Sequence, residues 1–372
     1  MRMYQLDTLR ALAVGLVMVE HYGGRTINNY VPIGAGTVGV GCFFTLSGFL
    51  ITSILLKSFD SAEKRSLAFG TFYLRRFLRL MPAFYAVILA LVLLGIEPVA
   101  SSWPWHASYL TNIWVMFGNP SNVFWSLAVE EQFYLLWPLA IMVTPRRWLA
   151  PLTIGLIALS FVFKIAVYRS GISLTEARGL LPNNFDLLAL GCLLAMACYR
   201  DGRPNTFDWY TGRVATVFTI VAWTCLALAI ASWSAYGSAS ILRFFTNNLL
   251  CGVFFAWLVL NAAIGFNGWL GKLFNLKPLQ YVGQISYGIY LVHNWMPKVV
   301  EKYAGNSLSR VELGLIVVTA TFAVCILSWH FFEKPILGLR RYITDPAPRA
   351  PAPVPASAVQ NQPPESEIAR GK

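Results

Sequence analysis

Arg10 and His21 are the first residues along this chain whose types and spacing suggest chemistry. Eleven residues at about 100° each make three turns plus about 20°, so a helix puts both side chains on one face, roughly 16 Å apart along its axis. That face carries a cation near one end and an imidazole near the other. Imidazole is a natural general base for a hydroxyl nucleophile. A histidine at a helix end among lipid headgroups would show the same spacing.

Four more groups follow. In Tyr73–Pro82, Arg76 and Arg79 are i,i+3 neighbours with Arg75 beside them, and two guanidiniums on one helix face can clamp a phosphate. A basic anchor preceding a membrane span would look alike. Glu130 and Glu131 open an apolar aromatic stretch that ends at Pro138. Ser126 is placed to cap that helix, and acids in its first turn would complement the dipole. Two adjacent carboxylates repel unless one is protonated or paired, with Arg10 or the 75–79 cluster as available partners.

Ser286, Tyr287, Tyr290 and His293 recur at helical spacing. They could bind a hydroxylated substrate or join helices by hydrogen bonds. Glu333 closes the last apolar run, paired with Lys334 or facing the bundle, and Asp186 opens another run in a similar way. His106 and His330 have no supporting pattern and read as structural.

These groups sit in a chain of 372 residues that is 56% hydrophobic and only 12% charged, with mean hydropathy +0.56. Soluble domains carry about 25% charge, so the chain reads as a polytopic membrane protein. Ionisable clusters inside spans are expensive there and point to function. The net charge of +12 does not indicate nucleic acid, because the basic residues alternate with apolar runs and form no single face. The six cysteines all fall in apolar runs without metal-ligand spacing, so no metal is expected. No cleavable signal peptide is expected, since Asp7 and Arg10 interrupt the first apolar run.

Ten spans are predicted: 6–22, 38–56, 82–97, 127–143, 149–168, 184–199, 213–232, 243–264, 281–297 and 311–332, with 184–199 short enough to be partial. With both termini cytoplasmic, 20 of the 29 Lys and Arg fall inside and seven outside, and the outer segment 97–125 has none. The expected fold is an all-α helical bundle over residues 1–344. Residues 345–372, rich in Pro and Ala, are expected to be a disordered cytoplasmic tail.

The motifs together resemble the acyltransferase 3 family of integral membrane acyltransferases. Leu6–Ala13 ending at His21 is similar to its first-span motif, and Gly39–Ile51 to its second. Arg76-Phe77-Leu78-Arg79 matches its RxxR, and Trp125–Pro138 is similar to its SLxVEEQFYLLWP block. Ile285–His293 and Phe332–Pro335 match the last two. Thr8 stands where glycine is frequent, and Gly41 where an acid is frequent. Some relatives carry a further hydrolase-like domain, which the tail's composition does not resemble.

The resemblance implies transfer of an acyl group, commonly acetyl from acetyl-CoA, to a hydroxyl of an exported glycan or small product. It implies His21 as the central catalytic residue with Arg10 its companion, Arg76 and Arg79 at the donor, and Glu130, Glu131 and Glu333 as further site candidates. The expected mechanism is direct: His21 deprotonates the hydroxyl while Glu130 or Glu131 orients the imidazole, as in a triad. A covalent acyl-histidine remains open. The acceptor could be a surface polysaccharide, a lipid-linked glycan, a lipo-oligosaccharide or a small metabolite. Expected surroundings are the lipid bilayer of the inner membrane and glycan-assembly proteins. A sugar exporter is the rival class, though no paired inverted halves are visible.

Overall fold

The computed structural model describes residues 3–23, 34–199, 206–236, 241–304 and 309–344. The segment 345–372 lies outside the described residues. The described chain is all-α, without a strand. Helices α1 (Tyr4–Tyr22), α2 (Ala35–Ser61) and α3 (Arg65–Leu93) come first. The short α4 (Val99–Ala107) and α5 (Thr111–Met116) precede α6 (Phe124–Val143). Then come α7 (Arg146–Ser170), the single turn α8 (Leu174–Ala177) and α9 (Phe185–Ala197). The pair α10 (Gly212–Tyr236) and α11 (Ile241–Ile264) leads into four short helices. These are α12 (Gly268–Phe274), α13 (Lys277–Gln284), α14 (Ser286–Val292) and α15 (Met296–Ala304). Finally α16 (Arg310–Ser328) runs through a π-helical turn, Trp329–Glu333, into α17 (Lys334–Gly338) and a 3-10 turn, Leu339–Tyr342.

Local chemistry sets several boundaries. Pro145 separates α6 from α7, and Gly171 ends α7 with a left-handed φ of 72° that favours glycine. Ser309 and Glu312 form a reciprocal capping box at the start of α16.

Six stretches are long and apolar enough to cross a bilayer: Ala35–Ser61, Arg65–Leu93, Arg146–Ser170, Gly212–Ser232, Phe244–Ile264 and Val311–Tyr342. Length and composition thus support six spans where ten were expected. Among the remaining candidates, α1 and α6 carry charged residues and α9 is short. The ninth, 281–297, is not one helix: the ladder breaks around Ile285 (φ −92°, ψ 5°), where the Ser286 hydroxyl bonds the Gly283 carbonyl at 2.9 Å.

Helix α2 is central, packed on α1, α9 and α11. Its crossing with α9 is close because two glycines meet there. A Cβ on Gly48 would lie 2.0 Å from the Leu188 carbonyl oxygen, and one on Gly191 would lie 2.0 Å from that of Thr45. Small residues at such crossings let backbones touch, which is how helices gain packing energy in lipid. Gly283 does the same for α13 on α1, against the Asp7 carbonyl. By contrast, α10 turns Val217, Ile220, Trp223 and Leu228 outward, an apolar surface suited to lipid.

Gly191→Leu should therefore force α2 and α9 apart and cost about 3 kcal/mol or more. Thermal unfolding of the purified protein in detergent checks this. An unchanged midpoint would mean that the crossing is not tight.

Candidate active site

The first half of α1, the middle of α2, and parts of α3, α6, α14 and α17 line a cavity of about 470 Å³. Four guanidiniums line it: Arg10, Arg76, Arg79 and Arg340. Three lining carboxylates, Asp7, Glu130 and Glu333, do not neutralise it pairwise. Arg10 reaches Asp7 at 3.4 Å, one turn earlier on α1. Arg76 lies 3.0 Å over the Tyr134 ring and 3.8 Å from Glu131. Among the described residues, Arg79 and Arg340 have no carboxylate at ion-pair distance. The Nε atoms of Arg76 and Arg340 are buried with no hydrogen-bond partner among the described residues. Unused guanidinium donors in an enclosed site fit a ligand with phosphate oxygens.

Glu130 and Glu131 part company. Helix α6 begins at Phe124, so neither acid lies in its first turn, and Ser126 is inside the helix rather than capping it. Glu130 faces the cavity and accepts from the Ser47 hydroxyl at 2.8 Å, which in turn accepts from Tyr134 at 2.6 Å. Glu131 turns away from the cavity lining towards Arg76.

His21 sits beyond the cavity, exposed at the end of α1. Its ring meets a second histidine, where a carboxylate was expected. His21 Nδ1 and His293 Nε2 are 2.8 Å apart, with the rings stacked at 5.0 Å. His293 Nδ1 faces the carbonyls of Ile289 (3.0 Å) and Tyr290 (2.9 Å). Carbonyls only accept, so Nδ1 of His293 carries a proton and its Nε2, in the neutral ring, accepts. His21 then donates from Nδ1, which leaves its Nε2 with the free lone pair that a base requires. Tyr22 steadies the assembly by donating to the His293 carbonyl at 2.7 Å. Glu20 accepts from the Gly36 amide at 2.6 Å, holding the start of α2 beside His21.

Helix α14 joins the two places. Tyr290 lines the cavity, hydrogen-bonds Ser126 and packs edge-on against Phe43. Its ring centroid is 5.5 Å from that of His293, one turn further on.

Several expected positions move. Ser286 lines the cavity. His293 was expected to bind substrate and instead holds His21. Glu333 is buried at the cavity, accepts from Ser328 at 3.0 Å and makes no ion pair with Lys334, so it faces the bundle. Asp186 is not at the cavity: it is fully buried against Lys164 at 2.5 Å, which neutralises both, so a substrate role does not follow from its place. Arg75 is likewise off the cavity, donating to the Ile343 carbonyl at 3.2 Å. His106 is buried between Ser102 and Thr111, and burial pushes its pKa down to about 4, so it stays neutral and structural as expected. Residues not anticipated are Glu20, Tyr134 and Arg340. Arg340, seven residues after Glu333, and Tyr134, four after Glu130, left a signal, each falling on the same helical face as the acid.

No solved structure matches the chain. Peptidoglycan O-acetyltransferase OatA of Listeria monocytogenes is 30% identical over 367 residues, covering 89% of this chain and 55% of the relative. The putative peptidoglycan O-acetyltransferase YrhL of Bacillus subtilis is 30% identical over 364 residues, covering 89% and 54%. A putative O-acetyltransferase of Staphylococcus aureus is 25% identical, covering 89% and 56%. The chain thus spans about half the length of the curated relatives it matches. The acyltransferase domain family matches residues 3–330, nearly all of the described fold, and the chain belongs to that family.

Proposed function

We propose that the chain is a membrane O-acetyltransferase that moves acetyl from acetyl-CoA to a hydroxyl of an exported or lipid-linked glycan, such as the peptidoglycan that two of its relatives are named for. One observation carries the reading. A cavity rich in arginine ends at Tyr290, and a histidine pair with one free basic nitrogen stands one helical turn beyond. The family membership and the names of the relatives support acetyl transfer to a glycan.

The residues divide the work. Arg76 and Arg79 attract the phosphates of the donor, with Arg10 adding positive potential along the cavity. The pantetheine arm extends towards Ser126 and Tyr290, bringing the thioester near the histidines. His21 Nε2 takes the proton of the acceptor hydroxyl as its oxygen attacks the thioester carbon. The carbon–sulfur bond breaks, and the imidazolium returns the proton to the departing thiolate, giving the ester and free CoA. His293 keeps His21 in the productive tautomer and shares the developing charge. Glu130, held by Ser47, and Glu333 shape the field around the arginines.

The Lys and Arg distribution supports a cytoplasmic cavity mouth near Met3 and Arg340, with the histidine pair towards the outer face of the inner membrane. A reporter fused at Ser101 should then read as external. A cytoplasmic reading overturns this orientation.

His21→Ala should abolish ester formation from labelled acetyl-CoA on glycan acceptors in nanodiscs, followed by mass spectrometry. His293→Ala should lower kcat by about 100-fold or more, because His21 loses its tautomer partner. Wild-type turnover in a well-folded His21→Ala protein removes it from the chemistry. Arg76→Ala with Arg79→Ala should weaken CoA binding by about 100-fold, read by calorimetry. Unchanged affinity in that double variant sinks the donor assignment.

A further inference from the structure

The arm after α16 brings a guanidinium to the cavity from outside the Arg76–Arg79 motif. Trp329, Glu333, Leu337 and Arg340 all line the cavity, and their spacing of four, four and three residues is one helical face. The arm is tied to α3 at the arginine motif by two exchanged bonds. Arg340 donates to the Arg75 carbonyl at 2.8 Å, and Arg75 donates to the Ile343 carbonyl at 3.2 Å. Arg75 thus holds the arm, which explains why it is not on the cavity wall itself.

The tie uses one Nη of Arg340. Its Nε is buried with no partner among the described residues, and no carboxylate there lies at ion-pair distance. Glu333, on the same face, accepts from Ser328 instead. Arg340 lines the cavity with its charge unpaired by any carboxylate among the described residues, and an anion entering there would meet a charge-assisted donor. Arg76 shows the same open Nε in the same cavity, so the two point to a shared ligand. The family match ends at residue 330, so Arg340 lies beyond it.

We infer that Arg340 is a phosphate-binding residue of the donor site, acting with Arg76 and Arg79, and that the arm 329–342 delivers it. This rests on the reading that the donor is acetyl-CoA. Anionic lipid headgroups offer the same phosphate chemistry, so the test separates the two sources.

The test uses the full chain in phosphatidylcholine nanodiscs. Binding of CoA and of acetyl-pantetheine, which lacks phosphates, is measured for wild type, Arg340→Gln and Arg340→Lys. Arg340→Gln should weaken CoA binding about 10- to 100-fold and flatten its salt dependence, while acetyl-pantetheine binding stays within about twofold. Arg340→Lys should recover part of the loss, as a point charge without the planar fork. Equal losses for both ligands would make Arg340 a packing residue and overturn the inference, as would unchanged CoA binding. If wild-type protein binds no CoA at all, the donor reading fails first and the inference falls with it. Discs containing phosphatidylglycerol complete the comparison. If Arg340→Gln weakens binding of phosphatidylglycerol but leaves CoA binding unchanged, the phosphate is a headgroup's and the inference is overturned.

Discussion

A charge inside an apolar helical bundle has to be paired or has to face a polar cavity, and the interior of this protein is arranged around that requirement. Lys164 and Asp186 take the first course: fully buried, 2.5 Å apart and mutually neutralised, they join α7 to the start of α9. The arginines of α1, α3 and the C-terminal arm take the second course. Removing one partner from a buried pair leaves an uncompensated charge, whereas a cavity with open guanidinium donors gains when an anion enters. The same physics therefore separates a structural ion pair from a binding site.

The cavity persists because the bundle around it is tight. Gly48 and Gly191 let α2 and α9 touch backbone to backbone, and Gly283 lets α13 settle on α1 at Asp7. Those contacts set the first half of α1, with Arg10, against the end of α13 and the start of α14. Helix α14 is short and broken at its N-terminal side, which costs backbone hydrogen bonds in lipid unless protein surrounds it. Here the break places Ser286 and Tyr290 on the cavity while His293 turns to His21. One helical turn thus divides the arginine-lined cavity from the histidine pair. Backbone carbonyls at Ile289 and Tyr290 decide the tautomer of both histidines, so the protonation pattern of the His21 ring is set by a helix far away in sequence.

Much of this was legible before any coordinates. The apolar runs gave the helices, because their length and period admit little else in a bilayer. The shared face of Arg10 and His21 and the Arg76–Arg79 pair followed from the helical period. Arg10 and His21 do lie towards opposite ends of one helix. Ten spans were expected where length and composition support six, and the expected span 281–297 reads as one apolar run although its backbone breaks at Ile285.

The sequence by itself determined what one helix can determine: which residues share a face, and that the chain is helical and largely apolar. Only tertiary packing decided the partners. His21 and His293 are 272 positions apart, Arg75 and Arg340 265, and Ser47 and Glu130 83. Neighbouring Glu130 and Glu131 look equivalent in the chain, yet a 100° step on α6 sends one to Ser47 and the other to Arg76. Asp186 and Glu333 look equally exposed to function, yet Lys164 claims the first and the cavity receives the second. Helical periodicity is a property of adjacent residues, whereas a hydrogen bond between distant helices depends on the crossing angle and depth at which they meet.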